Sequence, residues 1–242
     1  MDRDIFVIVT AYNEADSIAA TLDALARALP QARVMLADDG STDATAQIAE
    51  ARGARVVRSA RMVGKGEAAT QAAREALSAA AAQRAQRGGS VFLLCDGDLG
   101  DCAGELAVLV RAVEQGQAEL AVARFRTRVG GGVGLALGFA RWAIRRRCGL
   151  ETLAPISGQR ALSEQALCDV LPFAHGFGME IGMTIDAVRA GHGVVEIELD
   201  LAHRASGRTL AGFLHRGRQL LDFTRVYVRR RNGRELARTA GR

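Results

Sequence analysis

The sequence predicts an α/β fold built on one mostly parallel sheet with helices on both faces. Short apolar runs rich in β-branched residues alternate along the chain with segments of helical periodicity. The runs are almost continuously apolar, as in strands that are buried on both faces. About half of the 242 residues are apolar and no linker interrupts them, so one large core is expected.

The first half repeats a strand, a polar turn and a helix. Residues Ile5–Thr10 form the first apolar run, and Ile18, Leu22, Leu25 and Leu29 follow at helical spacing. The same alternation predicts further strands at Arg33–Ala37, Ala54–Arg58, Val91–Cys95 and Ala118–Ala123, and further helices at Ala44–Arg52, Glu67–Arg87 and Gly104–Gln115. We therefore treat residues 1–123 as one half of a single domain.

The second half, residues 124–231, is less regular, and residues 232–242 are predicted to be a basic tail. The second half begins with a basic, glycine-rich loop, and a polar patch spans Ser157–Arg160. Helices are predicted at Leu135–Arg147, Glu164–Leu171 and Met179–Ala190, a strand at Gly193–Leu199, and a basic amphipathic helix at Thr209–Arg231.

Composition restricts the location and the partners of the protein. The most apolar candidate span, Val133–Ile144, is short and contains Arg141, so no membrane crossing is expected. The amino terminus lacks the features of a secretory signal, which predicts a cytoplasmic protein. The basic helix that ends the domain is expected to pack on the core, on a second subunit of a homodimer, or on the inner membrane face as a peripheral contact. Only two tyrosines and one tryptophan are present, which argues against a specific nucleic acid partner.

Polar residues follow three of the predicted strands at the point where each strand ends. Tyr12, Asn13 and Glu14 follow the first strand, Asp38 and Asp39 follow the second, and Asp96 and Asp98 follow the strand that ends at Cys95. The carboxyl ends of parallel strands meet at one edge of a sheet, and ligands bind there in folds of this kind. The sequence therefore predicts a binding site at this edge.

Asp96, Gly97 and Asp98 place two carboxylates on a tight turn directly after an apolar strand. Carboxylate oxygens are the ligands that Mg²⁺ and Mn²⁺ prefer. A divalent ion there would bridge phosphates and neutralise a departing diphosphate. We therefore expect Mg²⁺ or Mn²⁺ as the cofactor.

Four motifs in this order resemble family 2 glycosyltransferases, which have the GT-A fold. They are Ala11-Tyr12-Asn13-Glu14, Asp38-Asp39-Gly40-Ser41-Thr42-Asp43, Gly64-Lys65-Gly66 and Asp96-Gly97-Asp98. The resemblance covers the first half of the chain. It implies that the nucleotide-sugar donor is held by Thr10, Ala11, Tyr12, Glu14, Asp39, Lys65 and Asp96, with Lys65 at the diphosphate and Asp98 as catalytic metal ligand.

Two later segments narrow the resemblance. The run Gly176–Gly182, followed by a strand and His203, is similar to the glucosyl-3-phosphoglycerate synthase group. This similarity implies that His203 is a second metal ligand and that Glu180 is a catalytic residue near the transferred sugar. Residues Ser157–Leu162 also resemble polyprenyl-phosphate sugar synthases, and we assign Gly158, Gln159 and Arg160 to acceptor binding.

The sequence thus predicts a metal-dependent hexosyltransferase that uses a UDP- or GDP-sugar. The acceptor is either a small phosphorylated molecule or a lipid-linked phosphate, and Glu180 and Asp186 are both candidates for the base by residue type. One alternative is a nucleotide-sugar-binding or scaffold protein without turnover. Another is a sugar-phosphate nucleotidyltransferase, which is disfavoured because Ala11–Glu14 lacks the glycine-rich, arginine-containing loop expected there.

Overall fold

The structure, a computed structural model, describes residues 3–82, 89–125, 135–199, 224, 226–228 and 230. Its first half contains strands β1 (Ile5–Ala11), β2 (Arg33–Asp38), β3 (Arg55–Arg58), β4 (Val91–Asp96) and β5 (Leu120–Phe125), with helices α1 (Ile18–Ala28), α2 (Thr45–Glu50), α3 (Lys65–Ala81) and α4 (Ala107–Glu114). The second half contains helices α5 (Leu135–Cys148), α6 (Glu164–Val170) and α7 (Met179–Arg189), with strands β6 (Arg160–Ser163) and β7 (Val194–Leu199).

The described strands form one seven-stranded sheet in the order β3-β2-β1-β4-β6-β5-β7. Strand β1 pairs in parallel with β2 and β4, and β5 pairs in parallel with β7. Strand β6 is antiparallel to both of its neighbours, β4 and β5. The predicted α/β, mostly parallel sheet of the GT-A type is confirmed.

The reversed strand β6 was not predicted. It has only four residues, and its first residue, Arg160, is charged, so the sequence presents a polar patch rather than an apolar run. The structure nevertheless buries Arg160, which is 1% exposed. A charged residue in a central strand is rare, since burying a charge is costly unless it is paired and hydrogen-bonded.

Alternating side chains of the strands divide the main core into two layers. Val7, Val9 and Leu93 face α1 and α4 on one side of the sheet. Phe6, Ile8 and Phe92 face α3, α6 and α7 on the other side, with the rings of Phe6 and Phe92 stacked at 5.4 Å. The face that α3 packs on the sheet is almost all alanine, so its backbone lies close to the strands.

Helix α3 begins at Lys65, two residues before the predicted start. Gly64 precedes it with φ of +103°, a conformation that glycine adopts without strain. The predicted helix over Gly104–Gln115 is divided into a 3₁₀ helix, Gly100–Leu106, and α4. The predicted end of α3 lies partly in residues 83–88, outside the described residues.

Most of the predicted terminal helix lies outside the described residues. Its described part packs on the chain itself: Val226 is 4% exposed and lies against Ile144, Ile181 and Ile185. Arg230 forms an ion pair with Asp186 of α7. Across the part of the chain that the structure describes, no helix is long and apolar enough to cross a bilayer.

Candidate active site

The ends of β1, β2 and β4 meet at one edge of the sheet, as the sequence predicts. The loop after β1 is tied to the loop after β2, because the Asn13 amide donates to Ser41 Oγ at 3.0 Å and the Thr42 amide donates to Asn13 Oδ1 at 2.8 Å. Asn13 adopts φ of +56°, which turns the chain sharply after β1. Tyr12 is 40% exposed beside this turn.

Asp39 holds the loop that leads into α3. Its carboxylate accepts hydrogen bonds from the amides of Val63 at 2.7 Å and Gly64 at 3.0 Å. The Asp39 amide in turn donates to the carbonyl of Ala11. Asp39 therefore joins the end of β1 to the start of α3 and fixes the position of Lys65.

Lys65 lies between two carboxylates at the centre of the site. Its Nζ is 2.7 Å from Asp96 Oδ1 and 2.9 Å from Glu180 Oε1. Burial alone would lower the pKa of Lys65, but the charges of Asp96 and then Glu180 outweigh burial and raise it. The ammonium is therefore charged throughout the neutral range.

The Asp96 carboxylate is bound by residues from three separate segments of the chain. Besides Lys65, Thr10 Oγ1 donates to its Oδ1 at 3.1 Å and Gln159 Nε2 donates to its Oδ2 at 2.9 Å. Burial opposes ionisation, but Lys65 and these two donors lower the pKa of Asp96 below its usual value. This carboxylate is already occupied within the protein.

Asp98, in contrast, has a free ligand atom. Its Oδ1 is buried and has no hydrogen-bond partner among the described residues. The turn that carries it is held in place because Thr21 Oγ1 donates to the carbonyl of Gly97 at 2.8 Å and accepts from the amide of Gly100 at 2.8 Å. A buried carboxylate oxygen without a donor suits a hard divalent cation.

Glu14 faces this acidic turn. Burial raises the pKa of its carboxyl, Ser17 opposes the rise by donating a hydrogen bond, and the charges of Asp98 and Asp96 add to it. Glu14, Asp96 and Asp98 thus contribute negative charge to the same part of the site. No cluster of three His, Cys, Asp or Glu side chains that could hold a metal occurs within the described ranges. The predicted second ligand, His203, lies outside them.

Gly158 and Gln159 join the site from the loop before β6. A Cβ atom on Gly158 would lie 2.7 Å from Asp96 Oδ2 and 2.8 Å from Lys65 Nζ, so a larger residue here would have to displace one of these side chains. Gln159 is 1% exposed and contacts Asp96 directly. This loop forms a wall of the site beside the lysine.

Arg160 lies behind that wall. Its guanidinium donates to the carbonyls of Ser157 at 2.7 Å and Pro155 at 3.3 Å and to Thr184 Oγ1 at 2.8 Å. Burial lowers the pKa of Arg160 to about 10, opposed by the charges of Glu180 and Glu196, so it stays charged near neutrality. With its side chain enclosed in this way, Arg160 contacts the protein and not the site opening.

The two acidic residues of α7 differ in environment. Glu180, in the first turn of the helix, contacts Lys65 and so belongs to the site. Asp186 is bound by Arg230 through both carboxylate oxygens, with Nε–Oδ1 at 2.8 Å, and its side chain is 1% exposed. Of the two candidates, only Glu180 lies with the other site residues.

Three residues that support the site were not predicted. Thr21 holds the Gly97–Gly100 turn, Thr184 receives Arg160, and Glu196 of β7 binds the loop before Pro155. Each is separated in sequence from the group that it supports by between 24 and 79 residues. No local pattern marks them, because their partners are set only by the packing of α1, α7 and β7.

The structure is similar to crystal structures of glucosyl-3-phosphoglycerate synthase from Mycobacterium tuberculosis. In its complex with Mn²⁺, UDP-glucose and glycerol 3-phosphate, that enzyme shares 28% sequence identity with this chain, with a TM-score of 0.69. The match covers 94% of this chain and 80% of that one. The complex with Mn²⁺, UDP and glucosyl-3-phosphoglycerate is 27% identical with the same TM-score and coverage.

Curated relatives and a family profile agree with this similarity. Uncharacterized glycosyltransferases of Mycobacterium tuberculosis and Mycobacterium bovis are 28% identical over 228 residues, covering 91% of this chain and 96% of theirs. Residues 6–158 match the profile of glycosyl transferase family 2. That match spans more than half of the chain, which therefore belongs to glycosyl transferase family 2 and is a glycosyltransferase.

Proposed function

We propose that the protein transfers a hexose from a nucleotide-diphosphate sugar, UDP-glucose or GDP-mannose, to a phosphorylated acceptor. The observation that carries this proposal is the placement of Lys65 between Asp96 and Glu180, together with Asp98 Oδ1 on the turn after Asp96, which has no hydrogen-bond partner among the described residues. A cation and a free anionic ligand at the carboxyl edge of a parallel sheet suit a diphosphate with its metal.

Each residue of this cluster has a task in the transfer. The Lys65 ammonium neutralises charge on the leaving diphosphate, which stabilises the transition state most where water is excluded. Glu180, held by Lys65, orients the sugar or the acceptor hydroxyl. Asp96 keeps Lys65 and Gln159 in place. Asp98, with His203, would hold Mg²⁺ or Mn²⁺, which acts as a Lewis acid on the diphosphate.

The remaining predicted donor residues surround this cluster. Ala11 ends β1 and Tyr12 begins the turn after it, where an exposed ring beside a tight backbone suits a nucleoside. Thr10 and Asp39 act indirectly. Thr10 donates a hydrogen bond to Asp96, and Asp39 accepts hydrogen bonds from the Val63–Gly64 loop. We assign the acceptor to the wall formed by Gly158 and Gln159, with Arg160 supporting it from behind.

Phosphorylated small molecules are the first acceptors to test. The similar synthase was crystallised with phosphoglyceric acid and with glycerol 3-phosphate. A lipid-linked phosphate is the second candidate, favoured by the basic terminal helix if that helix binds the inner membrane face. Cosedimentation with anionic vesicles at low salt tests this contact, and equal recovery with neutral vesicles would exclude it.

Calorimetric titration of UDP-glucose and GDP-mannose, with and without Mn²⁺, tests the donor assignment. We expect one donor to bind only with Mn²⁺, and Asp98→Ala to abolish this binding. Asp101→Ala is the matched control, since the Asp101 side chain is exposed and forms a surface ion pair with Arg27. Failure of both donors to bind folded protein would refute the proposal.

Release of UDP or GDP separates an active transferase from a binding protein. A transferase yields free nucleotide when the donor, Mn²⁺ and phosphoglyceric acid or glycerol 3-phosphate are combined, and more slowly with water as the acceptor. A non-catalytic protein would bind the donor with Mn²⁺ and release none. Separation of the products by chromatography also identifies the acceptor that is used.

A further inference from the structure

Glu196 of β7 binds the segment of residues 152–159, whose far end forms the wall of the site. Its carboxylate accepts from the amide of Leu153 at 2.9 Å, from the amide of Ala154 at 3.0 Å and from Thr152 Oγ1. Three donors on one carboxylate are a strong, charge-assisted attachment. They fix the start of the segment to the edge of the sheet.

Arg160 fixes the same segment from its other end. It donates to the carbonyls of Pro155 and Ser157, so its contacts begin one residue after those of Glu196 end. Glu196 accepts hydrogen bonds from the backbone amides, and Arg160 donates hydrogen bonds to the backbone carbonyls. Together they bind the backbone of residues 153–157 by groups of opposite charge, which leaves this stretch little freedom to move.

The fixed segment leads directly to the reacting groups. Gly158 packs against Lys65 and Asp96, and Gln159 donates to Asp96 Oδ2 at 2.9 Å. Arg160 also bonds Thr184, whose hydroxyl donates to the carbonyl of Glu180 at 3.0 Å. A shift of the segment would therefore reach the Asp96 carboxylate through Gln159 and the backbone of Glu180 through Arg160 and Thr184.

We propose that Glu196 and Arg160 are positioning residues for the transfer reaction, which set the 152–159 segment against Asp96, Lys65 and Glu180. This inference rests on the proposed function. Neither side chain contacts substrate; each acts through the backbone that it binds. Displacement of reacting groups by about 1 Å costs up to two orders of magnitude in rate, so this attachment affects turnover more than donor affinity.

Glu196→Gln tests the inference, since a glutamine amide replaces one acceptor oxygen by a donor that faces the Leu153 amide. We expect nucleotide release from the donor, with phosphorylated acceptor or with water, to fall about tenfold. The dissociation constant for UDP-glucose with Mn²⁺ stays within about twofold of the wild-type value. Thr152→Val removes one of the three donors. Its rate of nucleotide release should fall by a smaller factor.

The matched control is Glu198→Gln, two residues along the same strand, where the carboxylate forms an ion pair with Arg124. Its turnover stays at the wild-type value. Wild-type turnover in both Glu196→Gln and Thr152→Val would overturn the inference. Parallel losses of donor affinity, melting temperature and turnover would also overturn it, because they indicate that Glu196 only stabilises the fold. Failure of the wild-type protein to bind a donor would refute the proposed function, and the inference with it.

Discussion

The two halves of the chain build the site in different ways. In the first half, site residues follow the strands directly, as Asp39 follows β2 and Asp98 follows β4. In the second half, site residues come from a loop, a reversed strand and a helix, and buried polar side chains such as Arg160 and Gln159 hold them together. The first half places its groups by topology and the second by a polar network.

This difference predicts where substitutions act. Loss of a strand-end residue removes a ligand contact and leaves the parallel sheet intact. Loss of a network residue leaves its partners buried and unsatisfied, which costs stability or displaces the site. Four substitutions test this contrast.

Lys65→Met is expected to have the largest effect on transfer. It removes the cation that we propose for the diphosphate and leaves Asp96 and Glu180 without their shared partner. Nucleotide release should fall by about 10²–10³-fold, the range for loss of one electrostatic group in a transition state. Arg74→Met, at an exposed position on the same helix, is the control. Release within twofold of wild type in Lys65→Met would contradict a role at the diphosphate.

Arg230→Met is expected to have the largest effect on stability. It leaves the Asp186 carboxylate, which is 1% exposed, without its partner. Breaking such a buried pair costs about 3 kcal/mol or more. In a chain of this size, that lowers the melting temperature by about 6–12 °C.

Arg145→Met provides the surface comparison for that pair. Arg145 lies 3.4 Å from Glu151 with both side chains more than 70% exposed. Surface pairs contribute about 1 kcal/mol at most, so the melting temperature should hardly change. Equal shifts in the two variants would show that the terminal segment does not pack on α7 in solution.

Gly158→Ala sharpens the comparison at the point where the two halves meet. The added methyl group would displace Asp96 or Lys65, and we expect turnover to fall about tenfold with the fold retained. Gly138→Ala is the matched control, because a Cβ atom there contacts nothing within 4 Å. Turnover unchanged in Gly158→Ala would mean that the wall does not approach Lys65.

Glu14→Gln is expected to have the smallest effect, and it depends on pH. Because the folded protein raises the pKa of Glu14 above 4.5, ionisation of this residue lowers stability as the pH rises through the folded value. Removing the charge should therefore raise the melting temperature at pH 7 and leave it unchanged at pH 4. Asp16→Asn, at an exposed position nearby, is the control. A gain at pH 4 equal to that at pH 7 would exclude charge as the cause.

The first half could be predicted from the sequence because its signals are local. Apolar runs gave β1, β2 and β4, and the acidic residues after them meet at one edge because parallel strands share a direction. Glu180 was predicted from a family resemblance, and the structure places it beside Lys65. The roles of these residues in the reaction stay predictions.

The second half could not be predicted to the same extent. Strand β6 was not predicted because the charged Arg160 interrupts its apolar pattern. Glu196 and Thr184 were not predicted because their partners lie far away in the sequence. Arg160 was assigned to acceptor binding because of its place in a motif, whereas its contacts are with buried carbonyls. A polar network of this kind depends on three-dimensional packing, and no spacing rule reports it.

The most direct measurement is anomalous diffraction from crystals soaked with Mn²⁺ and UDP-glucose. We predict one manganese peak within about 2.3 Å of a carboxylate oxygen of Asp98. The diphosphate should lie on the side of that ion that faces Lys65. Donor density with the manganese remote from Asp98, or with the diphosphate remote from Lys65, would contradict the site.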